Sequence, residues 1–297
     1  MIDSLVEEGK IRNLEVERAF RHVKRHHFLK GFVEPIDAYK DRAIMIKGNI
    51  SSSSQPHVMA MMLEALELKK GLKVLEIGTA SGYNAALMAE IVGQDELVYT
   101  IEIEADLAKR AARILREVGY PGVTVIAGDG RKGYPVAAPY DRIIVTAETR
   151  LIYPDWIEQL VDDGIILIPF NFFGAITVTV KLCLREDGKY RGPLVGFPVS
   201  FVPIRGVDVQ ESIDPEFLSC YHRLTQYLFG EGLDLNFQQT VGLVLLLITW
   251  YKKGKLNKSR DYNQLIELWK MADMPGIGDF EFEYDNTKED WHLIPIF

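Results

Sequence analysis

The stretch VLEIGTASGYNA, residues 74–85, decides how the rest of the chain is read. An apolar run, Val74–Ile77, enters a turn with small residues at Gly78, Ala80 and Gly82, and a helical pattern leaves it over residues 84–92. A strand that ends in a glycine turn and opens a helix sets unpaired backbone N–H groups and the positive helix end beside a ligand. Glycines let the chain turn sharply and let that ligand approach the backbone closely.

The elements that follow alternate. Residues 96–103, 123–127, 140–146 and 164–168 read as strands, with helices over 105–118 and 153–160. Such alternation predicts a parallel sheet with helices on both faces. Residues 175–184 and 194–202 flank Glu186-Asp187-Gly188-Lys189, a hairpin signal, so an antiparallel pair is expected at the end of the sheet. Before this core, residues 1 to about 35 carry apolar residues at helical spacing (Leu5, Ile11, Leu14, Val16, Ala19, Phe20, Val23), and Pro56 opens a second helical pattern. Past Arg205 the composition turns to Leu, Tyr and Gln, with a Trp/Phe-rich tail. The expected division is a helical, substrate-binding segment over 1–60, a Rossmann-like α/β domain over 61–206 and a mostly helical extension over 207–297.

Composition narrows the function. The chain has 297 residues and a formal net charge of -8, which argues against a general nucleic-acid binder, since such proteins need excess Lys and Arg to displace counterions. The run RHVKRHH, residues 21–27, is the best candidate for a local basic groove; a solvated helix face is the competing reading. Cys183 and Cys220 have no metal-ligand spacing and suggest two reduced thiols in a cytoplasmic protein. The N-terminus MIDSLVEEGK lacks the apolar core of a secretory signal. The longest apolar run, VGLVLLLITW (residues 241–250), is about half the ~20 residues needed to cross a bilayer, so a buried helix or strand is expected there.

Three acids identify the ligand. Glu102 ends the second strand, where an acid can accept from both ribose hydroxyls of a nucleoside. Glu76 lies two residues before Gly78; a carboxylate there would repel a pyrophosphate and suits a ligand with an ammonium and a sulfonium. S-adenosyl-L-methionine is therefore favoured over a dinucleotide. Asp129, in Gly128-Asp129-Gly130, can accept from an adenine amino group, although alone it reads as an ordinary turn aspartate. The expected cofactor site is Glu76, Gly78, Ala80, Gly82, Glu102, Asp129 and Gly130, with no metal. Ala80 puts a methyl group where a glycine is expected; at positive φ it would carry roughly 1 kcal/mol of strain.

These residues, with others upstream, resemble the protein-L-isoaspartate (D-aspartate) O-methyltransferase family. Ala19-Phe20 with Arg25-His26-His27-Phe28 resembles its AF…RxxF segment, and Ala38-Tyr39-Lys40-Asp41-Arg42-Ala43 its AYxDxA lead-in. Ser54-Gln55-Pro56-His57 resembles the end of its T-I-S-x-P-H signature, with Ser52 and Ser53 standing where that signature has Thr and Ile. The likeness covers roughly residues 10–205, and the extension beyond is foreign to the short repair enzymes.

The resemblance implies methyl transfer from S-adenosyl-L-methionine to an isoaspartyl or side-chain carboxylate of a peptide. A carboxylate is ionised at neutral pH, so it needs no general base, only placement. On this reading Ser54, otherwise part of a serine-rich linker, orients the carboxylate, while backbone groups around Pro56 and His57 hold the peptide. Helix-start packing is the other reading of His57. Four rivals remain: a peptide-specific aspartyl O-methyltransferase acting on a natural-product precursor, a methyltransferase with another acceptor such as a tRNA base, a non-catalytic binding protein and a dinucleotide oxidoreductase.

Overall fold

A computed structural model of the chain describes residues 1–206, 214–231, 235–256, 259–273 and 275–296. Three short helices replace the single long pattern at the N-terminus: α1 (Ile2–Glu7), α2 (Leu14–His22) and α3 (Arg25–Phe28). The chain breaks after α1 at Gly9, which takes φ 67°. It restarts at Asn13, whose side chain accepts from the N–H groups of Glu15 and Val16 and caps α2. The serine tract is no linker. Strand β2 (Ser51–Ser53) pairs antiparallel with β1 (Ile44–Lys47), and helix α4 (Pro56–Ala65) begins at Pro56, whose missing N–H costs nothing in a first turn.

The core follows the expected alternation: β3 (Val74–Ile77), α5 (Tyr83–Val92), β4 (Val98–Glu102), α6 (Ala105–Glu117), β5 (Thr124–Ala127), β6 (Tyr140–Val145), α7 (Pro154–Glu158) and β7 (Leu160–Phe172). All pairings among β3–β7 are parallel, with β3 between β4 and β6, β5 beyond β4 and β7 beyond β6. Every residue of β3 is buried, which is why its apolar run does not alternate. Helix α6 shows the opposite design: Leu107, Ala108, Ala111, Ile114 and Leu115 form its buried stripe and charged residues its outer face.

After β7 come β8 (Ile176–Leu184) and β9 (Tyr190–Val195), joined through the predicted turn, with Gly188 at φ 80°. The second strand of this hairpin begins earlier than residue 194, because Tyr190 already pairs with Leu184. The C-terminal region holds α8 (Pro215–Glu231), α9 (Phe237–Lys252) and α10 (Ser259–Met271), but also two strands, β10 (Phe280–Asp285) and β11 (Asp290–Pro295). It is therefore less helical than expected. β10 pairs antiparallel with β9 on one side and β11 on the other. The apolar run 241–250 lies in α9, buried from Val241 to Thr249, and the helix N-terminus carries a capping box between Asn236 and Gln239. Among the described residues no helix is long and apolar enough to cross a membrane.

The chain divides into two compact units, Met1–Pro169 with Ser200–Val209 and Phe170–Val199 with Gln210–Phe297. This differs from the expected boundaries at 60/61 and 206/207; residues 207–213 lie outside the described residues. The first sixty residues form no unit of their own, and the hairpin β8–β9 belongs with β10 and β11, joined to them through the β9–β10 pairing.

Gly242, in α9, marks a close crossing: a Cβ built there would sit 1.7 Å from the Pro275 carbonyl oxygen. Gly242→Ala should lower stability by about 1–3 kcal/mol in chemical denaturation, because backbone must move. Gly278→Ala, where a Cβ meets nothing within 4 Å, should change it far less.

Candidate active site

The chain runs outward from β3 to β5 and returns on the other side with β6. At such a reversal the carboxyl ends of the strands open a crevice. Here the crevice encloses about 940 Å³, solvent mouth included, and Ser54, Glu76, Gly78, Ala80, Glu102 and Gly130 all line it. Gly78 takes φ 109°, and a Cβ there would lie 2.4 Å from Thr146 Oγ1, so no side chain fits. The Thr146 hydroxyl reaches the carbonyls of Ile77 (3.0 Å) and Gly78 (2.8 Å), tying the end of β3 to the end of β6.

Glu76 is wholly buried, and its carboxylate is satisfied from within. One oxygen accepts from Asn84 Nδ2 (2.8 Å), the other from the Thr100 hydroxyl (2.6 Å); Thr79 Oγ1 lies 2.6 Å from Thr100 Oγ1 and completes the chain. Burial pushes the Glu76 carboxyl up to about 7; the donors from Thr100 and Asn84 pull it down, and the nearby Glu102 charge adds to the rise. One donor on each oxygen fixes the carboxylate where it lines the crevice.

Glu102 sits differently. Its two oxygens accept from the N–H groups of Ala80 (2.8 Å) and Glu104 (3.1 Å), one backbone donor each, which fixes the carboxylate and leaves lone pairs for a ligand's hydroxyls. Ala80 does adopt positive φ, 48°, and its methyl group packs against the apolar cluster of Leu29, Ala38, Ile44, Ile46 and Leu107. A strain of about 1–2 kcal/mol is therefore partly offset by burial worth about 0.8 kcal/mol per methyl-sized group.

Four predicted residues are not brought to the crevice wall. Asp129 has both oxygens engaged by Arg131, at 2.6–3.1 Å, and that pairing holds its carboxyl below the usual range. Gly82, at φ 85°, serves as the N-cap of α5. Pro56 starts α4. His57 is tied to Asp41, which accepts from the His57 backbone N–H (3.0 Å) and lies 2.8 Å from its ring Nδ1. Burial raises the Asp41 carboxyl, but the bonds from His57 and Gln55 outweigh it and the net displacement is downward. Both contacts lie at the start of α4.

Arg25 was read as part of a basic run and is instead completely buried. Its guanidinium donates to four backbone carbonyls, those of Ala38 (2.9 Å), Lys40 (3.3 Å), Arg42 (3.3 Å) and Ser54 (3.0 Å). Burial lowers its pKa to about 10, so it stays charged at neutral pH. This cation gathers the lead-in segment and anchors the backbone of Ser54. Nothing in the spacing of residues 21–27 separates such an arginine from a solvated one.

The wall suits a cationic nucleoside. Arg205 also lines the crevice, but its charge is met by Glu104 (2.7 Å), which Lys47 contacts as well (2.5 Å). Two buried polar atoms of lining residues, Asn84 Oδ1 and Ser53 Oγ, have no hydrogen-bond partner among the described residues. Unpaired buried acceptors are costly and call for a ligand donor or water. The fold and this crevice define a methyltransferase that uses S-adenosyl-L-methionine.

Comparisons narrow the class. The family model described as protein-L-isoaspartate(D-aspartate) O-methyltransferase matches residues 1–208. The protein-L-isoaspartate O-methyltransferase of Ignicoccus hospitalis is 44% identical over 204 residues, covering 69% of this chain and 95% of that one. That of Hyperthermus butylicus is 43% identical over 216 residues, covering 69% and 87%. A solved protein-L-isoaspartate O-methyltransferase superposes with TM-score 0.68 at 22% identity over 100% of this chain and 98% of that one. A Plasmodium falciparum structure, titled a putative enzyme of this kind in complex with S-adenosyl-L-homocysteine, gives TM-score 0.59 at 19% identity, covering 69% and 96%. The chain belongs to the protein-L-isoaspartate (D-aspartate) O-methyltransferase family.

Two outcomes follow from the geometry. A carboxyl whose folded pKa is raised stabilises the protein fully below its unfolded value near 4.5, and that contribution is lost as pH climbs through about 7. The ligand-free protein should therefore lose stability relative to Glu76→Gln between pH 5 and 8, by on the order of 3 kcal/mol, in urea titrations at each pH. Identical pH dependence would mean that Glu76 titrates normally. Ala80→Gly should change stability by less than about 1 kcal/mol, since relief of strain is offset by lost packing and added chain entropy.

Proposed function

We propose that this enzyme transfers a methyl group from S-adenosyl-L-methionine to the carboxylate of an isoaspartyl residue in a peptide or protein, giving a methyl ester. The observation that carries the reading is that Ser54 lines the same crevice as Glu76 and Glu102. When bound, the cofactor supplies an electrophilic methyl group on a sulfonium. Glu102 would hold ribose hydroxyls, and the backbone of Gly78, Ala80 and Gly130 would form the floor beneath the nucleoside.

The chain's own task is placement. An ionised carboxylate is already a nucleophile, and holding reactants in line can lower a barrier by about 7–11 kcal/mol. Ser54 would donate its hydroxyl to one carboxylate oxygen and leave the other toward the methyl group. A neutral donor fits the charge change. The substrate's negative charge and the sulfonium's positive charge both disappear in the transition state, so a strong cation beside the carboxylate would stabilise the ground state more. Arg25 is spent on backbone carbonyls, that of Ser54 among them, and Arg205 is paired with Glu104. A cytoplasmic setting, with no nucleic acid or membrane as partner, fits the acidic balance and the two thiols.

The test is methyl-ester formation on an isoaspartyl peptide beside its normal aspartyl counterpart. Methylation of the isoaspartyl peptide alone is expected; methylation of the aspartyl peptide alone would replace repair with dedicated peptide tailoring. Ser54→Ala should lower the rate about 10–100-fold, the worth of one hydrogen bond to a charged group, with cofactor affinity unchanged. Glu102→Ala should weaken cofactor binding in calorimetry.

A further inference from the structure

Two stretches of chain far apart in sequence, 50–54 and 201–205, line the crevice as separate walls. Among the described residues no hydrogen bond or ion pair joins one directly to the other. Glu104 joins them from outside. Its Oε2 takes Lys47 Nζ (2.5 Å), at the end of β1, where Lys47 pairs with Ser51 of β2. Its Oε1 takes Arg205 Nη1 (2.7 Å), the last residue of the other wall. The Glu104 N–H donates inward to Glu102 (3.1 Å), so the carboxylate that joins the walls springs from the strand end between them.

The two walls are held unequally. Segment 201–205 is tied by its backbone to Glu148, whose N–H donates to the Val202 carbonyl (2.9 Å) and whose carbonyl accepts from Ile204 (2.7 Å). Toward 50–54 its polar link is the Arg205 ion pair. Lys47 has a second anchor, since Asp106 accepts from it at 2.7 and 2.9 Å, and it remains paired if Glu104 lets go. The bonds from Lys47 and Arg205 hold the Glu104 carboxyl below the usual range, so it is charged at neutral pH. All three side chains are reached by water: Glu104 is 22% exposed, Lys47 and Arg205 34% each.

We propose that Glu104 is a latch between the two walls, and that parting of its ion pairs gates entry and exit of S-adenosyl-L-methionine and its demethylated product. The proposal rests on the cofactor reading of this crevice. Ion pairs open to water are individually weak, as a latch that opens in every turnover requires. Such a gate sets ligand exchange and not affinity, because the same ion pairs stand closed before and after binding. A residue that merely touched the ligand would change the dissociation rate alone.

The test is surface plasmon resonance with the full chain immobilised and S-adenosyl-L-homocysteine flowed over it. Glu104→Gln keeps the N–H that holds Glu102 and removes only the charge. It should raise the association and dissociation rate constants together, by about 5–10-fold, and leave Kd within about twofold. Raising salt from about 0.05 to 0.5 M should speed both constants in wild type by about threefold and leave Glu104→Gln unmoved, since only the wild-type latch is screened. The ligand has no net charge at neutral pH, so its own approach is little affected by salt. Unchanged rate constants in Glu104→Gln overturn the proposal, as does a rise in dissociation alone, which would make Glu104 a ligand contact. Should Glu104→Gln fail to fold, the wild-type salt response decides: acceleration of both constants supports the latch, and rates indifferent to salt overturn it. Failure of wild type to bind the ligand at all would remove the cofactor reading and the latch with it, whereas binding with unaltered rates removes the latch alone.

Discussion

A carboxylate shut away from water has to be satisfied by the protein around it, and at Glu76 that requirement organises the whole crevice. The residue is central because β3 is central: every side chain on that strand is buried between neighbours on both sides. Glu76 therefore draws a donor from the next strand, Thr100 on β4, and one from the following helix, Asn84 on α5. Strand, strand and helix are locked together at the point where the chain reverses direction across the sheet. The glycine turn then passes between them, with Gly78 pressed against Thr146 and Ala80 bonded to Glu102. A buried ion costs stability unless it is bonded, and tolerating that cost at a ligand site is common where charge has to be presented in a chosen direction.

The other side of the crevice is built on a buried charge of the opposite sign. Among the described residues Arg25 forms no ion pair; four backbone carbonyls hold its guanidinium, which also lies over the Tyr83 ring. Backbone carbonyls can be offered only by a chain that already follows one path, so the guanidinium acts as a mould for residues 38–42 and for Ser54. Asp41, on the same lead-in, does the complementary work by capping α4 at His57. The two together set Ser54 between a fixed carbonyl and a fixed helix start. Placement of one hydroxyl is thereby spread over four segments of sequence, as a mechanism that depends on position more than on acid–base chemistry requires.

Much of this was legible in the chain, and the rest was hidden for identifiable reasons. The alternation of strands and helices, the hairpin at Gly188 and the glycine turn between β3 and α5 depend on local pattern, and local pattern is what a sequence displays. The pairing of Asp129 with Arg131, two residues on, was not legible; a turn acid looks the same whether its oxygens are open or taken. Arg25 and Asn84 could not be separated from solvated neighbours, since their partners are backbone atoms and a residue on another strand. The strands β10 and β11 were missed although Phe280, Phe282 and Tyr284 alternate with Glu281, Glu283 and Asp285, a period-two signal in a tail read only for its composition. The helical N-terminus was overextended because apolar spacing carries across Gly9 and Asn13, where capping and not periodicity ends the helix.

The most direct measurement of the account is a crystal structure with S-adenosyl-L-homocysteine bound. The nucleoside should lie in the crevice at the ends of β3, β4 and β6, its ribose hydroxyls on Glu102 and its sulfur on the side where Ser54 lines the wall. A ligand found outside that crevice, or one whose sulfur faces away from Ser54, would contradict it.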